Sequence, residues 1–254
     1  MRTRARILDV AAKLFADKGF PAVTILDVAQ LSDITKGAVY FHYANKEALA
    51  VAVADEFYRR IHVLAQSVGE SDLSPLASVA ELLVRTAMAL RDDIVMQAGA
   101  RLQIERAMIE TELPIPFQGY TRLITTWLAK GAEDGTLDRN TDPDALAFVL
   151  VSAFFGAQHI SWVLNNRADI TTRTLTIIRT VIPSAYSSLL LCPSVQRAIQ
   201  LEPGGSIHPR PSTPGDIAPV AADDQVAGLK QDLNGCRSTG WAASRGWSGR
   251  RTVL

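Results

Sequence analysis

The run Thr35-Lys36-Gly37-Ala38-Val39-Tyr40-Phe41-His42-Tyr43-Ala44-Asn45-Lys46-Glu47 constrains the fold more than any other stretch of the 254 residues. It reads as a short helix presenting Thr35, Lys36, Tyr40 and His42, a brief break, and a new helix capped by Asn45. Just upstream, Thr24 to Ser32 reads as another short amphipathic helix, opened by a capping-box pattern of Thr24 with Asp27 and joined through a tight turn at Asp33-Ile34. Helix, turn, helix with a polar, basic and aromatic second helix is a geometry that fits a DNA major groove.

The flanking segments keep the same period. Ile7, Leu8, Ala11, Ala12, Leu14 and Phe15 recur at helical spacing, and Gly19 closes that helix. A long helix is predicted from Lys46 to about Ser67, with Leu49, Val53, Phe57, Ile61 and Leu64 as its apolar positions. From Pro75 to Ile182 the spacing is helical rather than alternating, with breaks near Asp92-Asp93, Leu113 to Pro116, Asp134-Gly135, Asp142-Pro143 and Asn165-Asn166. The segment Pro143 to Leu164 is apolar all round, so it is expected to be buried on every side, in a core or against another subunit. The chain therefore reads as all-α: an N-terminal three-helix DNA-binding domain over 1–48, a helical ligand-binding and dimerisation domain over 49–202, and a tail over 203–254. The tail holds 5 of the 12 prolines and 8 of the 16 glycines with few spaced apolar residues, which predicts disorder.

Charge neither announces nor excludes nucleic acid. Twenty-six Lys/Arg balance 26 Asp/Glu over the chain, while the first 62 residues carry nine Lys/Arg against seven Asp/Glu, a mild local excess. Cys192 and Cys236 have no metal-type spacing and read as free thiols of a reducing cytoplasm. The basic start runs directly into helical periodicity, so neither a signal peptide nor a membrane partner is expected. His42, His62, His159 and His208 are scattered, with no metalloprotease spacing, nucleophile elbow or phosphate-binding loop. No catalytic residue, metal or cofactor is expected, and His159 reads as a core histidine.

The second helix carries the recognition chemistry. Lys36 can reach guanine O6/N7 or a phosphate, and Gly37 lets the backbone approach the DNA closely. Thr35, Tyr40 and His42 offer donors at the groove wall, Lys46 sits at a helix N-terminus that favours phosphate, and Thr24 can do the same on the other side. Ala38, Val39 and Phe41 are expected to pack inward.

These residues carry a resemblance. Ala11-Ala12-Lys13-Leu14-Phe15, Gly19-Phe20, Thr24, Val28-Ala29, Lys36 to Tyr43 and Lys46-Glu47-Ala48-Leu49 resemble the DNA-binding domain of TetR-family repressors. That likeness implies a homodimeric one-component regulator with a pseudo-palindromic operator in double-stranded DNA. In the second half, Ala98 to Leu102, Leu113 to Phe117 with Tyr120, and Val151 to Gln158 resemble the γ-butyrolactone autoregulator receptors of actinomycetes. Those receptors typically carry a tryptophan where Tyr120 stands, which implies a related but more polar effector such as a butenolide or a furan with a carboxylate. The expected ligand wall comprises Met88, Leu102, Gln103, Tyr120, Trp127, Phe154, Gln158 and Trp162. Arg101 and Glu105 are expected as an exposed helix pair. Dimerisation is expected through Pro143–Leu164 and Thr171–Ile182. The resulting reading is a repressor released by a small autoregulator and controlling secondary-metabolite genes. The alternatives are a regulator of efflux answering an antibiotic or lipophilic toxin, an enzyme, and an architectural DNA-binding protein without an effector.

Overall fold

The computed structural model describes residues 2–185 and residue 196. Cys192, His208, Cys236 and the predicted tail 203–254 lie outside the described residues. Among the described residues nine α-helices follow in order: α1 (Arg2–Lys18), α2 (Ile25–Ser32), α3 (Lys36–His42), α4 (Lys46–Gly69), α5 (Pro75–Asp92), α6 (Ile94–Ile104), α7 (Gln118–Glu133), α8 (Pro143–Asn165) and α9 (Ile170–Val181). A 3-10 turn at Arg106–Met108 follows α6, and no strand occurs among the described residues.

Local chemistry sets the helix ends. Gly19 takes φ +81°, a left-handed conformation that ends α1 at little cost only for glycine. Thr24 and Asp27 form a complete capping box: Asp27 N–H donates to Thr24 Oγ1 at 3.2 Å, and Thr24 N–H to Asp27 Oδ2 at 2.8 Å. Asp33, at φ 55°, closes α2 by donating its N–H to the Ala29 and Gln30 carbonyls. Thr35 and Asn45 cap α3 and α4 by accepting the N–H groups of Ala38 and Ala48.

Two cores form, and α4 belongs to both. Ile7, Ala11, Phe15, Val28 and Val39 pack with Leu49, Ala50, Val53 and Ala54 in the first. Val95, Ala98 and Leu102 of α6, with Ile109 and Leu113, complete that core. Phe57 and Val68 from the far half of α4 join the second core, built from α5, α7, α8 and α9 around Leu82, Leu83, Leu90, Ile124, Leu128, Leu150 and Phe154. Gly99 allows α6 to lie tight on α4, because a Cβ built there would meet Phe57 at 2.3 Å.

Of the two expectations for α8, burial in this chain's own core holds for one face only. Within the chain it buries Ala147, Leu150, Val151, Phe154, Gln158 and Ser161. Phe148 (68% exposed), Val149, Ile160, Val163 and Leu164 face outward. By length and composition alone α8 could cross a membrane, a test that core helices of soluble proteins also pass. His159 is exposed on the same helix rather than a core residue, with Trp162 edge-on at 5.7 Å.

Candidate functional site

Two places concentrate unspent chemistry: the outer face of α3 and a cavity between α4 and α7. In α3 only Val39 is buried. Lys36, Gly37 and Tyr40 are exposed, and the Lys36 ammonium lies 5.7 Å from the centroid of the Tyr40 ring one turn away. Thr35 accepts the Ala38 N–H, which leaves its hydroxyl proton free to donate. His42 is half-buried at the end of α3.

Three expectations on this face meet a different geometry. Phe41 does not pack inward: it is 85% exposed, touching His42 edge-on at 5.1 Å. A seven-residue helix anchored by one buried valine cannot also turn position 41 into the core. Thr24 directs its hydroxyl proton to Asp27 Oδ2 at 2.6 Å, and that bond is the first reason the Asp27 carboxyl lies below its ordinary value. Lys46 donates to the Phe20 carbonyl at 3.0 Å and sits 4.1 Å from the Phe20 ring centroid, so it fastens α4 to the end of α1 while keeping further protons to donate.

The cavity has a volume of about 560 Å³, within the usual range for small-molecule sites. Its wall comes from α4 (Phe57, Tyr58, Ile61, His62), α6 (Gln103), the loop before α7 (Ile115, Phe117), α7 (Tyr120, Leu123, Trp127) and α8 (Phe155). Phe117 takes φ 64° at the start of α7, with its ring 4.4 Å from that of Phe155. Left-handed backbone at a bulky residue is strained, and here it stands in the loop that borders the cavity. A smaller cavity of about 260 Å³ shares Phe57, Gln103, Phe117 and Phe155 and adds Gln158 and His159.

Of the eight residues expected on the ligand wall, Gln103, Tyr120 and Trp127 line the larger cavity and Gln158 lines the smaller one. The other four do not reach either. Leu102 is fully buried in the core that α6 shares with α1. Phe154 stacks behind Tyr120 at 6.5 Å. Met88 packs against the second core. Trp162 meets two guanidinium groups at its ring, Arg101 at 5.3 Å and Arg167 at 5.1 Å from the centroid. Tyr58, Ile61, His62 and Phe155 were not anticipated; the four-residue step from Phe57 to Ile61, with Tyr58 beside it, is the signal that a second apolar face on α4 provides.

Polar atoms distinguish this cavity from a packing defect. Tyr58 Oη and both amide atoms of Gln103 are buried without a hydrogen-bond partner among the described residues. Such groups cost about 1–3 kcal/mol each unless something satisfies them. Burial also pushes the Tyr58 hydroxyl up to about 12, so it stays protonated and able to donate. Tyr120 is satisfied: its hydroxyl lies 3.1 Å from Thr86 Oγ1, and Thr86 in turn donates to the Leu82 carbonyl, so Tyr120 is the donor of the pair. No group of three or more His, Cys, Asp or Glu converges to hold a metal among the described residues.

Arg101 and Glu105 are not an exposed pair; their side chains retain only 18% and 15% exposure. Arg101 Nε donates to Glu105 Oε1 at 2.8 Å, and its Nη1 reaches the Ala16 and Asp17 carbonyls at 2.9 and 3.1 Å. Glu105 Oε2 takes the Phe20 N–H. The end of α1 is thus held by residues two positions either side of Gln103, so the cavity wall and the N-terminal helices share an element.

Residues 7–53 match the bacterial regulatory proteins of the tetR family, and residues 71–184 match the tetracyclin repressor-like C-terminal domain. The A-factor receptor protein of Streptomyces griseus is 32% identical over 184 residues, covering 72% of this chain. That stretch spans 64% of the receptor, a little under two thirds of its length. A solved structure concerned with control of antibiotic production by bacterial hormones is 44% identical, with a TM-score of 0.68 over 72% of this chain and 97% of that one. The TetR-family protein CprB from Streptomyces coelicolor, solved with its biological operator sequence, is 26% identical with a TM-score of 0.67 over 79% of this chain and 97% of CprB. With its helix-turn-helix built as α2 and α3 and its helical second half matched as well, this chain belongs to the tetR family of bacterial regulatory proteins.

Proposed function

We propose that the protein is a cytoplasmic transcriptional repressor that binds a pseudo-palindromic operator as a homodimer and is released by a small autoregulator-type molecule. The observation that carries this reading is the pairing of an apolar cavity with unsatisfied Tyr58 and Gln103, on helices that also build the DNA-reading half. The ring of a γ-butyrolactone, butenolide or furan fits between Phe57, Trp127 and Phe155. A carbonyl or carboxylate on that ring accepts from Tyr58 Oη and Gln103 Nε2, while a hydroxyl donates to Gln103 Oε1. A solved structure described as a gamma-butyrolactone receptor, 26% identical with a TM-score of 0.57 over 70% of this chain and 97% of that one, supports this effector class, and the hormone-controlled antibiotic production named for the 44% identical structure supports secondary-metabolite genes as targets.

DNA contact rests on Thr35, Lys36, Gly37, Tyr40, His42 and Lys46, with Thr24 at the entrance to α2. The operator-bound state of CprB supports this assignment. The outward apolar face of α8 supports dimerisation. On α9 the Thr176 and Thr180 hydroxyls are bonded back to carbonyls four residues earlier, which leaves their methyl groups for a partner helix. Effector binding shifts α4 and α6 together, and the Arg101–Glu105 clamp carries that shift to α1.

Footprinting and gel shift on DNA upstream of the protein's own gene test the reading, with and without γ-butyrolactones, butenolides and carboxylated furans. A protected palindrome released by one of these ligands is the expected result. A site released only by lipophilic antibiotics would replace it with control of efflux, and the absence of any site would remove local repression.

A further inference from the structure

We infer that Phe41 is a base-reading residue that selects thymine through its 5-methyl group, an inference that rests on the DNA-binding reading above. Phe41 is 85% exposed on the helix whose one buried side chain is Val39. It stands one turn after Gly37, and nothing lies within 4 Å of a Cβ built on that glycine. The row Gly37–Phe41 therefore presents bare backbone followed by a projecting ring, beside the row Lys36–Tyr40 with its cation over an aromatic face.

The two rows differ in what they can read. Lys36 donates to guanine O6/N7 or a phosphate. Phe41 has neither donor nor acceptor. Pressed against an amino or carbonyl edge it would strip water from that edge and return no hydrogen bond, an unfavourable exchange. Among the features a base pair shows in the major groove, the thymine methyl alone is apolar, and it gains from contact with an aromatic ring. The open space at Gly37 allows the helix backbone to come close enough for the ring to reach it. The occupant of this face is accordingly the major groove of duplex DNA at a thymine.

The test uses the full chain and an operator duplex selected from a random-sequence pool, with each thymine replaced in turn by deoxyuridine, which lacks only the methyl. Wild type is expected to lose about fourfold in affinity at one thymine of each half-site, the worth of one buried methyl-sized group. Phe41→Ala is expected to bind the thymine and deoxyuridine duplexes equally, with an unchanged salt dependence because its phosphate contacts survive. Phe41→Leu, which keeps an apolar contact, is expected to fall between the two. A wild type that ignores every deoxyuridine would overturn the inference while leaving DNA binding intact. So would a Phe41→Ala variant as sensitive as wild type. Failure of wild type to select any duplex would overturn the DNA-binding reading and this inference with it.

Discussion

Glu105 accepts the backbone N–H of Phe20 through Oε2 at 2.6 Å, a bond between residues 85 positions apart. Its other oxygen holds Arg101, whose guanidinium covers the last carbonyls of α1. A helix end carries orphan carbonyls that need donors, and α6 supplies one here. Gly19 faces this clamp: a Cβ there would meet the Arg101 Nη2 and Glu105 Oε1 atoms at 2.5 Å, side-chain ends that can shift, so its positive φ is the stronger bar to a side chain.

Removing the clamp should uncouple the two halves more than it unfolds them. Arg101→Ala is expected to lower stability by roughly 1–3 kcal/mol, because α1 carbonyls and the Glu105 carboxylate both lose a charged donor. The ratio of operator affinities without and with effector should fall by about tenfold, in the range of ordinary coupling energies. Parallel gel-shift titrations check this, and an undiminished ratio would show that the clamp only fastens α1.

Tyr58 and Gln103 should show opposite effects on stability and on effector response. Gln103→Leu deletes two unsatisfied buried atoms, so the unliganded protein should gain about 1 kcal/mol and unfold at a higher temperature. The same change, like Tyr58→Phe, should weaken effector-induced operator release by about tenfold or more. Thermal unfolding combined with release titrations measures both. A loss of stability in Gln103→Leu would mean that the amide is already satisfied.

Gly99→Ala tests the close packing of α6 on α4. The added Cβ would fall 2.3–2.6 Å from Phe57 Cγ, Cβ and Cδ2; the ring can rotate away, but Cβ moves only if the helices part. A cost on the order of 1–3 kcal/mol is expected, and the Phe57 ring should be driven toward the cavity whose wall it forms. A variant with wild-type stability and effector response would show that the helices separate easily.

Much of this layout is written locally, and the parts that are not share one cause. Thr24, Thr35, Asn45 and Gly19 set helix ends through bonds spanning a few residues, so α1 to α4 can be read from the sequence. The spacing of Arg101 and Glu105 likewise announces an ion pair, but nothing local says that the pair will meet residues 16 to 20. Tyr58 was hidden because one helix serves two cores, and its apolar stripe changes partner near Ala54 and Phe57. Leu102 and Phe154 looked like wall residues because helical spacing tells which residues leave solvent, not whether they face a cavity or another side chain. Phe41 departs from the inward expectation for a related reason: in a seven-residue helix, apolar character alone does not fix the inward face.

Acid should weaken the fold through two carboxylates before global protonation is complete. Hydrogen bonding from Arg59 first, with Arg60 adding to it, holds Glu56 at about 2 instead of 4.5. Arg173 first, then Ser161, holds Asp169 at about 2 instead of 3.8. Both folded-state values lie below the unfolded ones, so their stabilisation is complete above pH 4.5 and lost as pH falls toward 2. Circular dichroism across that window should show wild type losing stability more steeply than Glu56→Gln or Asp169→Asn. Equal slopes would mean that solvent screens these pairs completely.

The outward face of α8 should decide the oligomeric state. Phe148, Val163 and Leu164 are each at least 66% exposed, and Gly156 between them has open space above it. A contiguous apolar strip on a helix that already buries its other face calls for a partner, and twofold pairing lets one strip cover its own copy. Phe148→Asp leaves the chain's own core untouched but would bury a carboxylate in such an interface, at a cost that removes dimers at micromolar concentration. Sedimentation should give a dimer for wild type and a monomer for the variant, with helical content preserved. Operator affinity should fall by about a hundredfold or more, since each half-site then binds without a tethered neighbour. A Phe148→Asp protein that sediments as a dimer would place the interface elsewhere.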